Sequence, residues 1–194
     1  MTTTATAAPG AATDPRRLAH PGHGLAVTFL VTADDSGGAR TLLEVELEPG
    51  AGTPLHVHDA FRETFEVLDG TLVVEQAGVR HLLGAGEVRS VELGTAHRFV
   101  NEGATRACFR VEMVPASRGF EIAKQVTYGL LADGRTAPGA DPRDPRHGAL
   151  LLHWTRTRAA GRGAWALNRL LRALAWQARR SGEERRLQER YVRW

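Results

Sequence analysis

Cysteine is nearly missing from this 194-residue chain. The single Cys108, inside the strand-like run RACFRVEMV, excludes an intramolecular disulfide and suits a reducing cytoplasm. It reads as a small apolar strand residue, not a nucleophile. Lysine is equally scarce, one against 24 arginines, so almost all positive charge is guanidinium. The first fourteen residues, MTTTATAAPGAATD, have no basic start ahead of a sustained apolar stretch. They are neither a secretory signal nor a membrane span, and they are expected to be disordered. No internal repeat longer than a hairpin is visible.

What charge there is falls unevenly. Residues 153–194 carry eleven Arg and three Glu, a formal +8, whereas residues 1–152 carry fourteen basic and nineteen acidic groups, a formal −5. The overall +3 hides two unlike halves. Their patterning differs as well. The runs from Leu25 to Thr32 and from Thr41 to Pro49 alternate or are continuously apolar, as strands are. Asp69-Gly70, between FEVL and TLVVEQ, signals a tight hairpin, and Ala77-Gly78, Gly84-Ala85-Gly86 and Glu102-Gly103 punctuate further short runs. About eight or nine short strands at this spacing predict a barrel or two-sheet jelly roll, not an α/β fold.

After Pro115 the period changes. Ser117 opens a predicted helix closed by Gly134, with Phe120, Ile122, Val126, Leu130 and Leu131 near one face. A Pro/Gly-rich linker near 136–148 follows. Two more helices are expected over 149–160 and 164–180, and Ser181-Gly-Glu-Glu184 fits a capping box for a short last one. Trp165, Leu167, Leu170, Leu171, Leu174 and Trp176 form a broad apolar stripe flanked by Arg169, Arg172, Arg179 and Arg180. The tail is expected to fold against the barrel or a dimer partner; a membrane-surface role ranks second. Nucleic-acid binding is not expected, because the apolar stripe is too wide for a DNA-reading helix.

The densest chemistry lies in Gly50-AGTPL-His56-Val-His58-DAFR-Glu63-TFEVLD-Gly70 and in Gly86-EVRSVEL-Gly94-TA-His97-RFV-Asn101. His56 and His58 are two residues apart, so on a pleated strand both rings point one way. Glu63 shares parity with Phe65 and Val67, and His97 with Phe99 and Asn101. Ligands from three short strands separated by more than thirty residues converge only if those strands lie side by side. The outward-parity residues Arg62, Glu66 and Arg98 are not assigned to the centre. Nor are the remaining histidines, His20, His23, His81, His147 and His153.

These residues resemble the cupins, whose two motifs read G-x5-H-x-H-x(3,4)-E-x6-G and G-x5-P-x-G-x2-H-x3-N. Gly50, His56, His58, Glu63 and Gly70 fit the first without a gap, and Gly86, Gly94, His97 and Asn101 fit the second. Glu92 stands where the family usually has Pro, which loosens the turn assignment and leaves the ligands intact. The resemblance implies an all-β fold, the cupin double-stranded β-helix or jelly-roll barrel, with added C-terminal α-helices. The expected layout is a disordered or extended arm over 1–23, a barrel over 24–115 and a helical extension over 116–194.

It further implies a divalent transition metal, Fe, Mn, Ni, Co or Zn, on His56, His58, Glu63 and His97. Phe65, Val67 and Phe99 would wall a small-molecule pocket. The expected activity is that of a metal-dependent enzyme, oxygenase-like, acting on a small, partly apolar organic molecule. Isomerase, lyase and decarboxylase chemistry is open to the same ligand set, and no catalytic side chain is assigned. The alternative is a non-catalytic ligand-binding or sensor module whose tail engages a partner or membrane surface. A homodimer is expected, since cupins commonly pair through exchanged edge strands.

Overall fold

A computed structural model of the protein describes residues 16–21, 23–137 and 140–194. The expected disorder of the first fourteen residues lies outside them. Among the described residues, eleven strands follow in chain order: β1 (Arg17–Leu18), β2 (Leu25–Val31), β3 (Thr41–Leu47), β4 (His56–His58), β5 (Arg62–Asp69), β6 (Thr71–Gln76), β7 (Val79–Gly84), β8 (Val88–Val91), β9 (His97–Val100), β10 (Ala107–Val114) and, far downstream, β11 (Thr157–Ala159). The helices are α1 (Arg118–Ala132), α2 (Pro145–Trp154), α3 (Ala164–Arg180) and α4 (Glu183–Tyr191).

The strands form two antiparallel sheets, ordered β1-β2-β3-β10-β5-β8 and β11-β4-β9-β6-β7. The period of two read from the sequence is the period of burial. In β3, Thr41, Leu43, Val45 and Leu47 are buried while the residues between them are half-exposed, and β10 repeats this with Ala107, Phe109, Val111 and Met113. Register aligns these faces, with Phe109 opposite Val45 on one side and Val67 on the other. The barrel core is therefore rich in phenylalanine: Phe29, Phe61, Phe65 and Phe109 are each almost wholly buried. At the Asp69-Gly70 turn, Gly70 has φ +75°, and a Cβ there would lie 2.8 Å from the Arg106 carbonyl oxygen. No other residue fits that approach.

The helices form a second layer around a smaller aliphatic core of Val126, Leu130, Ala149, Leu150, Ala175, Ala178 and Leu187. α1 runs as predicted, capped by the Ser117 hydroxyl, which accepts from Phe120 N. Two expectations fail. The helix predicted over 149–160 instead starts at Pro145, within the supposed linker, because Asp144 caps it and Pro145 occupies its first turn. It ends at Trp154, and Thr157–Ala159 pairs with His56–His58 as a strand of the barrel. The capping box at Ser181 is also not made: Gly182, in a left-handed conformation, precedes α4, and the Ser181 hydroxyl donates back to Ala178 O at 3.0 Å. Among the described residues no helix is long and apolar enough to cross a membrane.

Candidate metal centre

His56 and His58 come from β4 and His97 from β9 in one sheet, while Glu63 comes from β5 in the other. The four side chains meet between the sheets. Register places His56 directly opposite His97, and one ligand atom from each of His56, His58, Glu63 and His97 lies within 4.8 Å of every other. The Nε2 atoms of His56 and His58 are 3.1 Å apart, and Glu63 Oε2 lies 2.9 Å from His97 Nε2 and 3.5 Å from His58 Nε2. His58, Glu63 and His97 are buried; His56 stands at the more open edge.

The turns at the strand ends hold the rings. His56 Nδ1 donates to Pro54 O at 2.7 Å and His97 Nδ1 to Thr95 O at 2.9 Å. A carbonyl can only accept, so both rings carry a proton on Nδ1 and turn Nε2 to the shared point, where His97 Nε2 faces the Glu63 carboxylate. His58 Nδ1 meets the Thr157 hydroxyl at 2.9 Å, a partner supplied by β11 from the far end of the chain. Thr95 belongs to a turn in which Thr95 N donates to Glu92 O at 3.2 Å, with Gly94 at φ +76° and its N–H bound to His58 O at 2.9 Å. Glu92 in place of Pro therefore leaves the turn intact. Asn101 is structural: its buried amide donates to Leu47 O and Thr105 O and accepts from Gly103 N, closing the loop before β10.

The electrostatics are those of a cation site. Burial lowers the pKa of His56, and it lowers that of His58 to about 4 despite Glu63. Burial would raise Glu63, yet the surrounding imidazoles outweigh it and the carboxyl sits below its ordinary value. For His97, burial is outweighed only by the hydrogen bond to Glu63, the charge of that carboxylate and the hydrogen bond to Thr95 acting together, and its pKa is raised. Two unprotonated nitrogens, a third held by a carboxylate, and that carboxylate itself form a compact set of Lewis bases. Three Nε2 atoms oriented through their Nδ1 hydrogen bonds are what a first-row divalent ion requires of its ligands and of the groups behind them.

Aromatic rings wall the centre. The Phe61 ring lies 4.4 Å from that of His58, and Phe65 lies 6.5 Å from His97 and 5.8 Å from Phe99. Val67 is one pleat further along β5, opposite Phe109 in the core. Sequence reasoning missed Phe61, although it sits in the first motif between His58 and Glu63. It also missed Thr157, whose only sign was a pair of β-branched threonines inside a supposed helix. Glu66 and Arg98 turn outward, to Arg110 at 3.7 Å and Glu75 at 2.7 Å. His147 is a tie between helices, 2.8 Å from Glu183. A cleft of about 490 Å³ lies behind β11, lined by Asp59, Arg156, Thr157 and Arg172 among others; the four candidate ligands do not line it.

Comparison with known proteins agrees with this architecture. Residues 43–113, which contain both motifs, match the Cupin_2 family, described as a cupin domain. No curated protein matches the chain. Among solved structures, a predicted oxalate decarboxylase from Thermotoga maritima is 25% identical, with 47% of this chain and 80% of that one covered and a TM-score of 0.45. A sugar phosphate isomerase from a cupin superfamily of Silicibacter pomeroyi is 28% identical, with coverage of 55% and 69% and a TM-score of 0.43. An RmlC-like cupin from Shewanella frigidimarina is 21% identical over 57% and 93%, with a TM-score of 0.47. The family match falls on the strands that carry the four converging side chains, and it makes residues 43–113 a cupin domain of the Cupin_2 type.

Proposed function

We propose that this protein is a metal-dependent enzyme, oxygenase-like, that acts on a small, partly apolar organic molecule inside its barrel. His56, His58, Glu63 and His97 are the ligands of a divalent transition metal, and Phe65, Val67 and Phe99, with Phe61, are the apolar wall. The observation that carries this reading is the approach of three Nε2 atoms and one carboxylate oxygen to a common point, with every Nδ1 held from behind. A mixed imidazole and carboxylate set suits Fe, Mn, Ni, Co or Zn alike. Bound there, the metal would supply a Lewis acid with positions left for a small organic ligand. The protein's own groups do the rest. Pro54 O, Thr95 O and Thr157 Oγ1 fix the rings, Glu63 offsets part of the cation's charge, and the phenylalanines exclude water and favour an apolar substrate body.

Elemental analysis of untagged protein beside a His58→Ala variant tests the ligand set. About one transition metal per chain, lost in the variant, is the expected result. Absence of metal after refeeding each divalent ion would remove the basis for catalysis. Oxygen uptake by Fe(II)-, Mn(II)- or Ni(II)-reconstituted protein across phenols, diketones and flavonoids then tests the reaction class; no uptake would sink the oxygenase assignment.

A second reading is a non-catalytic sensor module whose tail meets a membrane surface. It is favoured by α3, which leaves Trp165 72%, Leu170 57% and Trp176 61% exposed among arginines. Sedimentation with anionic liposomes, abolished by Trp165→Ser with Trp176→Ser, would support it. Indifference to vesicles would leave the enzyme reading alone.

A further inference from the structure

The chain's one lysine lies on α1, the helix that packs over the barrel core. On α1, Phe120, Lys124, Tyr128 and Leu131 recur at helical spacing and share a face. Phe120, Tyr128 and Leu131 all pack against the barrel core, so Lys124, one turn from each aromatic, lies on the side of the helix turned to the barrel. The helix is pinned there at both ends. Glu121, wholly buried, accepts from Ala33 N at 2.7 Å and from the Thr41 hydroxyl at 2.8 Å, and the Tyr128 hydroxyl donates to Leu25 O.

Lys124 Nζ stands 5.0 Å from the Phe120 ring centroid, Phe120 packs edge-on to Phe61, and Phe61 packs on His58. The charge is near enough to the centre to add a little to what burial does at His56 and His58 and to be favoured by Glu63, while burial lowers the ammonium's own pKa. Yet Nζ makes no hydrogen bond or ion pair among the described residues; the Phe120 ring is its nearest compensation. By contrast, Arg40, Arg80, Arg98, Arg106 and Arg110 on the barrel each have a carboxylate partner. A partly buried cation without an anion is costly to keep unless something brings one.

We propose that Lys124 is the specificity residue for a carboxylate on the ligand of this centre, so that the substrate class is a small monocarboxylate with an apolar body lying against Phe61 and Phe120. The proposal rests on the metal-site reading. It adds a charge requirement that the four ligands alone do not impose. One ammonium, set among phenylalanines, suits a single carboxylate; a compact dianion would leave its second charge against apolar rings.

Benzoate and its neutral isostere benzamide separate charge recognition from shape. Each is titrated calorimetrically into wild type, Lys124→Met and Lys124→Arg, all loaded with Co(II), whose visible spectrum and stoichiometry report the ligand set independently. Wild type is expected to favour benzoate over benzamide by about tenfold or more, and Lys124→Met to abolish that preference while Lys124→Arg retains most of it. Co(II) stoichiometry and spectrum before ligand addition should be the same in all three. Equal benzoate affinity in wild type and Lys124→Met, an equal loss for benzamide, or no preference for benzoate in wild type would overturn the proposal. Failure of wild type to take Co(II) would instead overturn the metal reading, and the same titrations on metal-free protein would still decide the role of Lys124. If Lys124→Met does not fold, Lys124→Gln replaces it.

Discussion

The barrel and the helical layer solve opposite problems with similar residues. On the barrel, arginines are paired with carboxylates of neighbouring strands and loops: Arg106 meets Glu46 and Glu48, Arg40 meets Glu112, and Arg98 meets Glu75. Its interior is built from large aromatic side chains. The helical layer has a core of alanine, leucine and valine, and α3 turns Trp165, Leu167, Leu170 and Trp176 outward beside arginines. One region is closed and carries an excess of acidic groups; the other is open and basic. The difference does not follow the line between site and scaffold, because the helical half supplies β11, with Thr157 behind His58, and α1, whose Phe120 packs on Phe61 beside that ring. The barrel brings the ligands together, and the later part of the chain adjusts them.

The largest effects should come from breaking each core separately. Phe65→Ala removes a wholly buried ring at the centre of the barrel and should cost about 3–5 kcal/mol, while Leu150→Ala in the helical core should cost about 2–5 kcal/mol. If the regions are as distinct as their cores, Leu150→Ala will lower hydrogen-exchange protection in α2 and α4 and spare β10, whereas Phe65→Ala will lower it everywhere. Uniform loss in both variants would mean that the halves unfold as one. A smaller effect tests the link between them. Thr157→Val keeps the shape of the side chain and deletes the hydroxyl that meets His58, so metal affinity should fall about 10–100-fold with the melting temperature nearly unchanged. Unaltered affinity in a competition titration with a chelator would reduce β11 to a cover.

Legibility in the sequence divides along the same line. The barrel was readable because strand period, glycine turns and motif spacing all reinforced one another, and because the motif spacing picked out His56, His58, Glu63 and His97, which converge. Local pattern could not reveal β11. Three residues, Thr157–Ala159, follow directly on a helix, and only pairing with a strand almost a hundred residues earlier makes them extended. Lys124 was hidden for a similar reason. On the helix it is one polar residue in an amphipathic pattern, and its meaning comes from the phenylalanines of two elements and the imidazoles beyond them. The boundary at Pro145 was available, since Asp followed by Pro is a helix start, but the flanking prolines and glycines read as linker.

The smallest expected effect is an acid sensitivity confined to the helical layer. A hydrogen bond from His147 lowers the Glu183 carboxyl below its ordinary value, and hydrogen bonds from Arg146 hold Asp144 at about 2. With both folded-state values depressed, the unfolded chain takes up protons first as pH falls. Their contribution is therefore complete above the ordinary carboxylate range and is lost as pH drops through it toward 2. Both carboxyls still reach solvent, so screening keeps the effect modest. Melting temperature measured from pH 6 down to about pH 3 should fall less steeply in Glu183→Gln than in wild type. Parallel curves would show that the His147–Glu183 contact contributes no charge-dependent stability and that the acid response of the chain originates in the barrel.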